Sequence, residues 1–340
     1  MEDQPVTAIR ETTRNLLKLK RRFNRDEESD SRRCVPDTST SQKNIKAIVN
    51  TLKTKSSVSV SELRTLKNGL MEDPNTIELV LNTHGTLRGL VRELTGNDVR
   101  KQCEAAGCLC NLGLGDSKAG VAVAKAAGPY LVAALDSLSV ELAVTCAWAV
   151  GNAAGAGPRG AALLAAQGAA KLGGLLDAKG ELKDAAIYAL VHLGFQMGDE
   201  LRSEHLAKIL EALYKSDITT ATSQLLFILS CHNEFNSVIS EVHIHKILQN
   251  LPISLQSHIN SCEKSCSMNC KLLYQIRTLA NLNIDDKVNE LFTNCLCQHV
   301  GSLKMLLVKY DDLSKSVLWL LGNLYNNSSN SVLFNELLLL

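Results

Sequence analysis

Trp148 and Asn152, in the run Trp148-Ala-Val-Gly-Asn152, and Trp319 and Asn323, in Trp319-Leu-Leu-Gly-Asn323, are residues whose types and spacing suit recognition chemistry. Four positions apart on a helix, the two side chains of each pair project from one face. An Asn amide both donates to and accepts from a peptide group. An indole face attracts a Lys or Arg cation and gives its aliphatic stem a surface to lie on. The combination suits an extended basic peptide. The alternative is that both Trp are core residues and both Asn cap helix ends. For catalysis the sequence offers no comparable set. It holds no Gly-rich phosphate loop, no Gly-x-Ser-x-Gly and no His-Glu-x-x-His, so neither an enzyme nor a cofactor is expected.

The cysteines are the other reactive class. Eleven are present, an odd number, and the N-terminus lacks the apolar segment of a secretory signal. Free thiols in a reducing compartment are therefore expected. Cys262-x3-Cys266-x3-Cys270, with His258 nearby, has ligand-like spacing, but it departs from the usual zinc patterns. A thiol-rich loop or helix is expected there, with no metal. Cys108 with Cys110, and Cys295 with Cys297, read as helix packing. His243-x-His245 reads as a helix or turn surface.

The elements that must carry the Trp/Asn pairs repeat. Anchored on the Asn, positions 68, 111, 152, 192, 230, 281 and 323 form a ladder with steps of 43, 41, 40, 38, 51 and 42 residues. The long step holds an insertion near 252–270. A second marker agrees, because Gly85, Gly128 and Gly168 open apolar segments at steps of 43 and 40. Within one unit, Thr86 to Leu94 reads as a short helix with Leu87, Leu90, Val91 and Leu94 on one face. Asp98 caps a longer helix, Val99 to Gly113, and Asp116-Ser117 caps a short third one from Lys118 to Ala127. A unit of about 40 residues with two or three helices is an armadillo or HEAT unit. The expected fold is all-α, a right-handed superhelical armadillo-repeat solenoid. A basic N-terminal segment and linker, 1–43, would precede about six to seven repeats over 44–340.

Net charge is +1 and 45% of residues are hydrophobic, a globular composition whose bulk charge implies no nucleic acid. The charge asymmetry is local. Arg14, Lys18, Lys20, Arg21, Arg22 and Arg25 fall in one stretch that contains no acid. Such a stretch reads as a localisation or acidic-surface-binding segment, or as a solvated basic tail. Leu142 to Pro158 runs 17 residues without a charge. Its interruption by Gly, its Asn152 and its place on the ladder point to close-packed buried helices rather than a membrane span.

On these residues the chain resembles the importin-α type of armadillo protein, the adaptors for nuclear-localisation signals. Trp148 to Asn152 and Trp319 to Asn323 match that family's Trp-x-x-x-Asn signature. The segment Arg14 to Arg33 is similar to a divergent importin-β-binding region, and Leu63 to Leu87 to an opening repeat. The resemblance implies peptide-binding roles for Trp148, Asn152, Trp319, Asn323, Asn111, Tyr188, His192 and Asn281. It implies importin-β-binding roles for Arg14, Lys18, Lys20, Arg21, Arg22 and Arg25. Its partners would be basic-peptide cargo and an importin-β-type receptor, in cytoplasm and nucleus. The chain also departs from the signature: Tyr188 with His192 replaces one Trp/Asn pair, and Gly107 stands before Asn111. Arg277 stands before Asn281, Ser230 lacks both partners, and Gln196 falls where the family's acid belongs. An armadillo scaffold without transport activity, or a membrane-associated relative, is the alternative expectation. The apolar ending, Ser331 to Leu340, suggests a shortened isoform, a fragment, or an open end that a partner covers.

Overall fold

The computed structural model describes residues 42–54, 57–197, 201–262, 269–283, 285–308 and 312–327. Its α-helices are α1 (Gln42–Lys53), α2 (Val60–Glu72), α3 (Pro74–Asn82), α4 (Thr86–Leu94), α5 (Val99–Gly113) and α6 (Ser117–Ala134). They continue with α7 (Val140–Gly155), α8 (Pro158–Gly174), α9 (Glu181–Met197), α10 (Ser203–Lys215), α11 (Thr220–Ser230) and α12 (Phe235–Val238). The last are α13 (Glu241–Cys262), α14 (Cys270–Ala280), α15 (Asp286–Leu296), α16 (Val300–Leu307) and α17 (Asp312–Asn327). The described residues contain no strand.

The helices stack in two rows. One row carries the ladder positions at or near its C-terminal ends: α2, α5, α7, α9, α11, α14 and α17, each touching the next. The flanking row runs α1, α4, α6, α8 and α10, then α13 against α15 and α16. Each unit thus contacts chiefly its neighbours, the mark of a solenoid. The fold is an all-α solenoid of armadillo-like units, as the period implies.

Local sequence sets the starts of the ladder helices. Ser59 begins α2 with a full capping box: its hydroxyl accepts from the Glu62 amide, and its own amide donates to Glu62 Oε2 at 2.7 Å. Asp98, Ser139, Thr219 and Asn269 cap α5, α7, α11 and α14. Each cap satisfies amides that have no partner inside the helix. The apolar stripes then close the core. Leu63, Leu66, Leu109, Leu112, Leu164, Leu225, Leu279 and Val317 are all fully buried.

Three local expectations give way. Gly85 does break the chain, at φ +98°, but Gly128 and Gly168 lie inside α6 and α8. The expected short helix Lys118 to Ala127 continues through Pro129 to Ala134. Pro252 likewise sits inside α13, so much of the expected insertion lengthens a flanking helix. Proline removes one helical hydrogen bond and crowds the preceding turn. Burial of Leu131 and Val132 after Pro129, and of Leu251 and Leu255 around Pro252, offsets that cost.

The uncharged Leu142–Pro158 stretch is α7 and its connection, buried between α5, α6, α8 and α9. A Cβ on Gly120 of α6 would stand 2.4 Å from Ala156 Cβ and 2.8 Å from the Ala153 carbonyl oxygen. Only a small residue admits this approach. Among the described residues no helix is long and apolar enough to cross a membrane.

Candidate functional site

The ladder Asn residues do a structural job first. Asn111 Nδ2 donates to the Lys67 carbonyl at 2.9 Å, Asn152 Nδ2 to the Cys110 carbonyl at 3.1 Å, and Asn323 Nδ2 to the Ala280 carbonyl at 2.6 Å. Each acceptor is the residue just before the preceding unit's ladder position. Asn281 Nδ2 instead reaches the ladder residue itself, donating to Ser230 Oγ at 2.8 Å. One N–H of each amide is therefore committed to holding a ladder helix against the one before it. A primary amide also carries a second N–H and a carbonyl oxygen. Asn111, Asn281 and Asn323 keep partial exposure, whereas Asn152 is 4% exposed.

Around Asn152 the expected residues come together, though not as an open slot. The Tyr188 hydroxyl donates to Asn152 Oδ1 at 2.6 Å. Its ring lies 4.2 Å from the Trp148 indole and 4.5 Å from the His192 imidazole, centroid to centroid. Gly151 makes room: a Cβ there would be 2.6 Å from Tyr188 Cδ1. Gly155 does the same for His192, whose Nδ1 would be 2.9 Å away. Trp148 is half-buried and His192 buried. The space beside Trp148 is filled by the next unit's own ring. Gln196, one turn further, donates to the Gly155 carbonyl at 3.2 Å.

Arg277 stands four residues before Asn281, at the position where α7, α9 and α17 carry Trp148, Tyr188 and Trp319. It is 2% exposed, donates through Nε to Ser316 Oγ at 3.1 Å, and lies 5.8 Å from the centroid of the Phe227 ring. Burial pulls its pKa down, and Asp312 opposes that shift. Beside it, burial pushes the Tyr274 phenol up to about 12. Trp319 is half-buried against the core on α17, and Leu318 and Tyr325 on the same helix are exposed.

Three residues outside the expected set complete the first units. Arg64, at the aromatic position of α2, donates through Nε to Glu104 Oε1 at 2.8 Å. Lys67 Nζ is 2.6 Å from Glu104 Oε2. Glu104 is 7% exposed. Arg64 and Glu104 lie 40 residues apart, one period with opposite charge, and that spacing was the signal in the sequence.

The basic residues Arg14, Lys18, Lys20, Arg21, Arg22 and Arg25, and Cys266 and the Cys262 side chain, lie outside the described residues. Cys270 opens α14, half-buried. No group of three or more His, Cys, Asp and Glu side chains suited to a metal ion is found among the described residues. Burial raises the pKa of the Cys103, Cys108, Cys146 and Cys295 thiols, which keeps them protonated at neutral pH.

No protein-family profile and no curated protein sequence matches the chain. Among solved structures, an engineered protein is similar over 84% of this chain and 69% of its own, with a TM-score of 0.66 and 21% identity. That likeness supports the fold. A designed armadillo repeat protein in complex with the peptide (KR)4 aligns over 82% of this chain and 99% of its own, with a TM-score of 0.47 and 19% identity.

Proposed function

We propose that this chain is an adaptor that holds an extended, basic peptide along the ladder row, and that it serves protein import into the nucleus. The observation that carries the peptide reading is the ladder itself. Asn amides stand at four of the ladder positions, Asn111, Asn152, Asn281 and Asn323, each anchored by the unit before, and all but the buried Asn152 keep partial exposure. Packed helices lie roughly 8–10 Å apart, and an extended peptide advances about 3.3 Å per residue. Amides on neighbouring units, as Asn281 and Asn323 are, would therefore meet every second or third residue of a bound strand. Trp319 with Asn323 is the pair best placed to act, because both keep partial exposure. The import reading rests on the resemblance of the Trp/Asn pairs and of the basic segment Arg14 to Arg33. The partners would be basic-peptide cargo and an importin-β-type receptor, with no enzymatic activity, in cytoplasm and nucleus.

A second reading is favoured by specific contacts. Tyr188 fills the place beside Trp148, and the buried cation Arg277 holds an aromatic position. A ladder so altered suits an armadillo scaffold for another protein partner, without transport. The full chain separates the two readings. Saturable capture of importin-β that is lost on changing Lys20, Arg21 and Arg22 to Ala supports the adaptor. No capture at micromolar concentration removes it. Binding of a labelled Lys/Arg peptide that weakens at least tenfold in Trp319→Ala/Asn323→Ala supports the groove in either case.

A further inference from the structure

We infer that Lys67 is a built-in occupant of a cation slot between α2 and α5, and that it excludes a ligand's lysine from the first units. The inference takes its ligand class from the peptide reading above, but its geometry stands alone. Gly107 occupies the aromatic position of α5, one turn before Asn111. A Cβ there would meet Lys67 Cδ at 2.6 Å and Cγ at 3.4 Å. The aliphatic stem of Lys67 therefore lies directly on the Gly107 backbone, in the place a larger side chain would take. The stem leads to an acid. Lys67 Nζ ends 2.6 Å from Glu104 Oε2, and Glu104 lies one turn before Gly107 on the same face. Arg64 closes the other carboxylate oxygen at 2.8 Å. The Lys67 main chain is pinned as well, because its carbonyl accepts from Asn111 Nδ2.

A floor for an alkyl stem and a buried carboxylate at its end are what a protein needs to bind a primary ammonium. Here the chain supplies the ammonium itself. A lysine from outside would have to expel Lys67 and leave it without its carboxylate, so the slot is closed to cations while Lys67 is present. The tolerated substitutions follow: removing the stem opens an acidic slot for alkylammonium ions, whereas replacing it with an uncharged chain of similar length removes the charge without opening the space.

The test uses the full chain, Lys67→Ala, Lys67→Met and Lys67→Ala/Glu104→Gln, each checked for helix content by circular dichroism. n-Butylammonium chloride, a lysine side chain without its backbone, is titrated against the melting temperature, with sodium chloride as the ionic-strength control. The expected result is a saturable rise in Lys67→Ala alone. A flat response in Lys67→Ala, or an equal rise in the Glu104→Gln double variant, overturns the inference. Lys67→Met keeps the inference falsifiable should Lys67→Ala not fold, since a saturable response in the Met variant would show that no stem-sized space is needed. In parallel, a fluorescent peptide of alternating Lys and Arg should bind Lys67→Ala at least about tenfold more tightly than the parent chain. Equal affinities would overturn the exclusion. Failure of the parent chain to bind any such peptide, with the amine response present, would count against the peptide reading and leave the slot standing.

Discussion

The Tyr188 hydroxyl and the Asn152 amide tie two neighbouring ladder helices together through one hydrogen bond. Asn152 is buried, and both ends of its amide are in use. Tyr188→Phe removes the 2.6 Å donor to the Asn152 carbonyl, and Asn152→Ala removes both the acceptor of the Tyr188 hydroxyl and the Nδ2 donor to the Cys110 carbonyl. Each should cost about 1–3 kcal/mol, and the double variant should cost less than the sum, because both remove the same contact. Additive losses in urea denaturation would show that the two groups do not act together. His243 on α13 provides a pH prediction at this scale. Burial holds its imidazole below 6.5, Lys246 acts the same way, and the Leu210 carbonyl and Glu211 oppose them. A base with a depressed pKa stays neutral in the folded chain while the unfolded chain takes up a proton. Stability should therefore fall as pH drops below about 6.5, and level off once the folded imidazole also protonates. His243→Gln should flatten that part of a pH–stability curve. Identical curves for the two proteins would assign the acid sensitivity elsewhere.

At the level of helices, the approach of α6 to α7 and α8 depends on what is missing from the side chains. Gly120→Ala would place a methyl group 2.4 Å from Ala156 Cβ and 2.8 Å from the Ala153 carbonyl. The carbonyl belongs to a helix and cannot rotate aside, so the helices must separate. A loss of about 1–3 kcal/mol is expected, seen as a lower urea midpoint, and an unchanged midpoint would mean that the approach is looser than the structure shows. The same helices show why legibility in the sequence was uneven. Period, helix identity and ladder positions were readable, because apolar spacing and caps such as Ser59 and Asp98 are local signals. The interior prolines were not. Pro129 and Pro252 stop a helix by local rules, and only tertiary burial of their neighbours carries α6 and α13 past them. The candidate site divided in the same way. Trp148, Asn152, Tyr188 and His192 were found by spacing, but that they pack into one another depends on Gly151 and Gly155 lying beneath the following unit's rings. Lys67 was passed over because its significance comes from Gly107 and Glu104, a full unit away.

For the whole molecule, the two rows make stability a chain of nearest-neighbour terms rather than one shared core. Every ladder helix touches the next, and α7 bridges α5 and α9 near the middle of the series. Asn152→Ala weakens both of those interfaces at once, since its amide donates to α5 and its carbonyl accepts from α9. Amide exchange should therefore speed up in α5, α7 and α9 and in α6 and α8, which pack against them. In α14 to α17, held through Asn281, Arg277 and Asn323, exchange should stay as in the parent chain. In a single cooperative domain, global opening would expose all segments together, and the most protected amides everywhere would accelerate by one factor. Hydrogen exchange read by mass spectrometry separates the two cases by position along the chain. Uniform acceleration from α1 to α17 would refute the nearest-neighbour account. Acceleration confined to the middle units would also explain how the ladder residue can change from Asn152 to His192 to Ser230 in successive units, since each unit's alterations are borne by its own two interfaces.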